Sequence, residues 1–193
     1  MSFLNNLEKN NYPENISGAE TQTEVESREI LNESERIKRL KELRQKGVGR
    51  GTIASCLAFS DSLEAWNLRQ DIWDSTAEMG PDRARAIRND VIKGLAGLDD
   101  EDAWQMREKA ISVGVDLNSV SLSLRGLDDP ESFQMREKLY QELGGKDDRY
   151  KNSPTLVKNL FWSLIGLNSP EAWEMRKKLL ENGGQFQDYI ISL

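Results

Sequence analysis

The chain of 193 residues carries 26 Lys and Arg against 33 Asp and Glu, a net charge of −7, and no histidine. An acidic chain gains little from counterion release on a phosphate backbone, so nucleic-acid binding would require a segregated basic face. The lack of histidine removes the commonest general base and metal ligand, and the single cysteine, Cys56, excludes an intrachain disulfide framework or a thiolate metal cluster.

Residues 1–30 are rich in Asn, Glu, Thr and Ser and poor in apolar side chains, with Pro13 and Gly18 breaking any pattern. Such a stretch cannot bury enough surface to offset ordering entropy, so it reads as a disordered, acidic and polar tail. It reads as a solubilising tail, the alternative being a partner-binding arm that uses Phe3, Leu4 and Leu7. It has neither the basic start nor the apolar run of a secretion signal, and no run in the chain is long enough to span a membrane. These features predict a cytoplasmic protein.

From residue 31 onward the chain repeats itself. A stretch at 34–47, "SERIKRLKELRQKG", reads as a leading half-repeat. Four longer segments then align without gaps: "CLAFSDSLEAWNLRQDI" from Cys56, "GLAGLDDEDAWQMREKA" from Gly94, "SLRGLDDPESFQMREKL" from Ser123 and "SLIGLNSPEAWEMRKKL" from Ser163. Each reads as a helical hairpin, over approximately 48–80, 81–114, 115–145 and 153–184. Gly97, Gly126 and Gly166 suit the left-handed stop of the first helix. Ser62, Asp100, Asp129 and Ser169 suit the N-cap of the second, with Pro130 and Pro170 in its first turn. Gly80, Gly114, Gly144 and Gly183 are expected to close the second helices. The residue before the central Leu is always small, which predicts close helix contact there and makes Cys56 a space-saving core residue. The "DD" pairs fall at helix starts, so capping explains them better than catalysis. The segment 144–154 reads as an insertion and a minor binding candidate. The terminal "YIISL" is β-prone but short, and reads as an apolar plug or a frayed end.

One position is chemically odd. At about 100° per residue, Arg69, Arg107, Arg136 and Arg176 fall inside the apolar arc of the second helices. An unpartnered guanidinium there would be costly. Trp66, Trp104, Phe133 and Trp173, three residues earlier, can stack on it. Asp61, Asp99 and Asp128, one residue before each N-cap, could grip it in two-point fashion. The last unit has Asn168 at that position, which fits a rule in which the Asp of one unit holds the Arg of the next. The pattern therefore predicts the pairs Asp61–Arg107, Asp99–Arg136 and Asp128–Arg176. The alternative is an arginine ladder facing a groove and gripping phosphates or an acidic peptide.

Residues 34–190, as paired short helices at a period of about 30–40 residues, resemble α-solenoids of the tetratricopeptide, pentatricopeptide and HEAT kind. That resemblance implies an all-α, right-handed α-solenoid of about four helical-hairpin repeats with a leading half-repeat. No Gly-rich phosphate loop, zinc spacing or nucleophile elbow is visible. The reading is a non-enzymatic scaffold or adaptor without cofactor or metal, binding a protein or peptide through its extended surface. Candidate contact residues are those that vary between units: Arg83, Arg85, Arg88, Lys93, Arg125, Lys158 and Trp162. The alternative is nucleic-acid binding through a basic strip at 82–93.

Overall fold

The computed structural model describes residues 32–145 and 149–193. The tail, with Phe3, Leu4 and Leu7, lies outside the described residues, as do positions 146–148 of the 144–154 segment. Among the described residues every regular element is helical. In chain order they are α1 (Asn32–Gln45), α2 (Arg50–Ser55), α3 (Leu63–Asp74), α4 (Pro81–Lys93), α5 (Glu101–Ser112), α6 (Leu117–Ser123), α7 (Pro130–Gln141), α8 (Pro154–Ser163), α9 (Pro170–Glu181) and α10 (Phe186–Ser192). Short 3-10 segments follow α3 and α7, at Ser75–Glu78 and Glu142–Gly144.

Local chemistry sets the starts. The side chains of Ser62, Asp100, Asp129 and Ser169 accept the backbone N–H three residues on, at 3.3, 2.8, 2.9 and 3.4 Å. Each satisfies one of the N–H groups that a helix start leaves unpaired. Proline opens α4, α7, α8 and α9, where its missing N–H costs nothing.

The stops follow two chemistries. Gly97, Gly126 and Gly166 take the left-handed conformation at φ of 77°, 84° and 77°. The first unit puts Phe59 at this position, with φ of 61° and its side chain exposed. Its ring lies over Gly97, where an added Cβ would collide with it. Gly114 and Gly183 close α5 and α9 in the same left-handed way, but Gly80 and Gly144 do not. There the chain tightens into the 3-10 segments instead, and Gly80 becomes the N-cap of α4.

The first helices of the hairpins pack on one another in chain order: α2 on α4, α4 on α6, α6 on α8, and α8 on α10. Each second helix, α3, α5, α7 or α9, packs on the first helix of its own hairpin. One continuous apolar core runs from Ile37 in α1 to Leu179 in α9. Close approach of the first helices requires small residues at their contact. At Gly94 an added Cβ would run into the carbonyl oxygen of Ala54 in α2. Ser123 and Ser163 hold the same position and are fully buried.

Two expectations are corrected here. Cys56 shares the register of Gly94, Ser123 and Ser163, yet it is exposed. What buries the others is the first helix of the preceding hairpin, and among the described residues none precedes α2. The segment "YIISL" is mostly helix: α10 includes Tyr189–Ser192, and Ser192 is fully buried. In register, Ser192 and Leu193 repeat Ser163 and Leu164.

Candidate functional site

The four arginines of the second helices have 0% of their surface exposed and are among the largest fully buried side chains. Their hydrogen bonds go to backbone carbonyls and serine hydroxyls. Nη2 of Arg107 donates to the carbonyls of Leu95 (2.9 Å) and Leu98 (2.8 Å) in its own hairpin, and of Ser123 (3.0 Å) in the next. Nε donates to Oγ of Ser123 at 3.1 Å. Arg136 repeats this on Leu124, Leu127 and Ser163 at 2.7, 3.0 and 2.9 Å, with Nε on Ser163 Oγ at 3.0 Å. Arg176 repeats it on Leu164, Leu167 and Ser192 at 2.7, 2.8 and 2.5 Å, with Nε on Ser192 Oγ at 3.1 Å. Arg69 holds Leu57 and Ser60 at 2.5 and 2.6 Å, and both its Nε and Nη2 reach Gly94 O, at 3.3 and 3.1 Å.

The physical basis is the helix end. The last turn of an α-helix leaves carbonyls without intrahelical partners and carries partial negative charge. Each guanidinium sits at the C-terminal ends of two first helices, its own and the next, and so ties adjacent hairpins together. The serine hydroxyls at the contact donate to the carbonyl three residues back, at 2.7 Å in Ser123, Ser163 and Ser192. That leaves an oxygen lone pair for Nε. Each guanidinium also lies against the ring three residues before it: Trp66 (5.0 Å), Trp104 (4.4 Å), Phe133 (4.9 Å) and Trp173 (5.0 Å). Burial lowers the pKa of Arg69, Arg107 and Arg136 to about 10, against the opposing pull of nearby carboxylates such as Asp100 and Asp129. Arg176 shifts in the same direction for the same first cause.

The pairs Asp61–Arg107, Asp99–Arg136 and Asp128–Arg176 are therefore replaced. Asp61, Asp99 and Asp128 are exposed, and the donors they were expected to satisfy point at carbonyls. Asp128 instead accepts from Ser169 Oγ at 2.5 Å. Asp99 uses its backbone carbonyl to accept from Trp104 Nε1 at 3.1 Å. The remaining nitrogen, Nη1, meets Ser132 Oγ at 2.8 Å in Arg136. In Arg69, Arg107 and Arg176 the equivalent neighbour is alanine, and Nη1 is buried without a partner.

The variable residues do not form one site. Arg88 is half-buried, donating Nε to Thr76 Oγ1 at 2.8 Å and lying 5.4 Å from the Trp73 ring. This takes it out of the expected strip. Lys93 pairs with Asp90 at 3.1 Å. Arg85 and Arg125 are exposed, and the carbonyl of Arg125 accepts from Gly97 N–H at 2.9 Å. Lys158 lies 4.9 Å from the Trp162 ring, and both line a groove against α10. In the 144–154 segment, Tyr150 is buried and its hydroxyl accepts the Leu117 N–H at 3.2 Å, closing the start of α6. Arg44, Arg50 and Arg83 line an open cleft of about 500 Å³ with Gly47, Ser75, Glu78 and Met79, and Arg44 also pairs with Asp71 at 3.0 Å. Sequence spacing gives no sign of that cluster, because it draws on three helices.

Among the described residues no group of three or more His, Cys, Asp or Glu is placed to hold a metal ion, and no helix is long and apolar enough to cross a membrane. Comparison with family models, curated proteins and solved structures finds no match to this chain.

Proposed function

We propose that the chain is a non-enzymatic scaffold or adaptor: a right-handed α-solenoid of four helical hairpins with a leading half-unit, docking a protein or peptide along its repeated surface. One observation carries this reading. A buried guanidinium recurs in every hairpin and hydrogen-bonds across to the next first helix, so neighbouring units share one geometry and their outward side chains recur as a row. Buried arginines held this way cannot also grip a ligand, which favours a structural role over a phosphate-binding ladder.

The cleft of Arg44, Arg50 and Arg83 is one contact point for a partner; Arg44 is held by Asp71 and Glu78 stands on the wall, so Arg50 and Arg83 are the cations that would meet an acidic peptide segment. The test is a pull-down with the full chain beside an Arg50→Glu/Arg83→Glu variant. A protein retained by the first and lost by the second supports the reading; equal retention by both places the contact elsewhere. Nucleic-acid binding through residues 82–93 is the alternative, and inward-turned Arg88 weakens it. A salt-sensitive gel shift that is lost on Arg85→Glu would favour it, and absence of binding at low salt would eliminate it.

A further inference from the structure

We propose that the Asn182–Gly183 bond at the end of α9 is a site of spontaneous deamidation, and that the folded helix cap sets its rate. It is the only Asn–Gly step in the chain. Gly183 stands there to stop the helix. It takes the left-handed conformation at φ of 84°, as Gly114 does after α5 and Gly47 after α1. Those two glycines follow Val113 and Lys46, whose side chains have no amide to lose. Of the three, only the cap of α9 joins the glycine that a left-handed stop favours to an asparagine.

The reaction needs only water. The backbone nitrogen of Gly183, having given its proton to solvent, attacks Cγ of Asn182. The N–Cγ bond forms and the Cγ–Nδ2 bond breaks. Nδ2 takes a proton back from solvent and leaves as ammonia. Water then opens the cyclic imide at either of its carbonyls, giving aspartate or its isoaspartyl isomer. Glycine is the favoured successor because it has no Cβ to crowd the attacking nitrogen and rotates freely into position.

The closed cap holds both reacting groups in other contacts. The Gly183 N–H donates to Leu180 O at 3.2 Å. Nδ2 of Asn182 donates to Lys178 O at 3.1 Å and to the hydroxyl of Tyr140 in α7. Attack therefore waits for the last turn of α9 to open, and helix ends open more readily than the core. The product changes the joint between α7 and α9. A carboxylate replaces an amide donor beside the Lys178 carbonyl, at the negative end of the helix dipole. It also adds negative charge to a contact where Glu137 of α7 already meets Lys178 at 2.9 Å. Conversion thus loosens the hold of α9 on α7.

The test incubates the full chain at mildly alkaline pH, folded and in urea, and follows each asparagine by peptide mass spectrometry. Asn182 should convert ahead of Asn118, Asn152 and Asn168, which precede serine, and more slowly in the folded chain than in urea. Tyr140→Phe removes one hydrogen bond from the closed cap and should speed conversion in the folded chain by about two- to tenfold. Hydrogen exchange at the Gly183 N–H reads the same opening and should rise by the same factor, while thermal melts show that the variant is folded. Asn182→Asp, a copy of one product, should lower the urea midpoint. An Asn182 that never converts in the folded chain, or lags the serine-linked asparagines there, overturns the site. Equal rates folded and in urea, or a Tyr140→Phe chain that converts no faster than wild type, overturn control by the cap. A midpoint of Asn182→Asp equal to that of wild type overturns the loosening of the joint.

Discussion

The contact of α5 with the α4–α6 pair and that of α1 with α2 can be compared at the register position that Arg107 and Leu40 share. Arg107 fills the first and Leu40 the second, and both are buried. Leucine closes a contact in which, among the described residues, one first helix, α2, is covered. Arginine closes one where two helix C-termini meet, because only a group with several donors can serve Leu95, Leu98 and Ser123 together. The comparison teaches that these buried charges are answers to backbone carbonyls. They are not halves of the expected Arg–Asp pairs.

The strongest way to break that comparison is Arg107→Ala, which opens a large cavity and orphans three carbonyls. We expect a loss of about 4 kcal/mol or more in chemical denaturation. Arg107→Met, which imitates Leu40, should recover packing but not the hydrogen bonds, and so lose about half as much. If Met proves equal to wild type, the carbonyls need no donor and the account of the cradle fails.

The hydroxyls sharpen it next. Ser163→Ala removes the Nε acceptor of Arg136 and should cost about 1.5–3 kcal/mol, because the group left unpaired is charged. Ala103→Ser places an acceptor beside the unpartnered Nη1 of Arg107, as Ser132 does for Arg136, and should stabilise by about 0.5–1 kcal/mol. Denaturant midpoints of the two variants should therefore move in opposite directions.

Phe59→Gly tests the first unit against the later ones. Relief of the left-handed strain should raise stability by about 1 kcal/mol, reduced by the loss of the ring on Gly97. A drop in melting temperature would show that the ring packing outweighs the strain.

The smallest effect concerns pH. The folded-state pKa of Arg69, Arg107 and Arg136 lies below the unfolded value, so the unfolded chain is the tighter proton binder. Stability linked to these groups therefore rises with pH only above about pH 10 and is flat below it. Its acceptors are carbonyls and hydroxyls, which do not titrate. The stability difference between wild type and Arg107→Met should be constant from about pH 5 to pH 9, whereas an Arg–Asp pair would make it fall on the acid side.

The sequence by itself determined the helices of the four hairpins, the N-caps of their second helices and their register; it missed α10 and the 3-10 closures before Gly80 and at Gly144. Ser62, Asp100, Asp129 and Ser169 act through neighbours three residues away, and Gly97, Gly126 and Gly166 through their own backbone freedom, so local chemistry suffices. It also marked the arginines as buried, because helical period places them among large apolar residues. Only the tertiary structure decided what they hold. Every residue carries a carbonyl, so acceptors 9 and 12 residues back, and 16 to 27 ahead, leave no mark in the sequence, while aspartates do. Burial at the repeated small position was likewise decided in space. Ser163 is covered and Cys56 is not, because a preceding first helix lies against one and, among the described residues, none lies against the other.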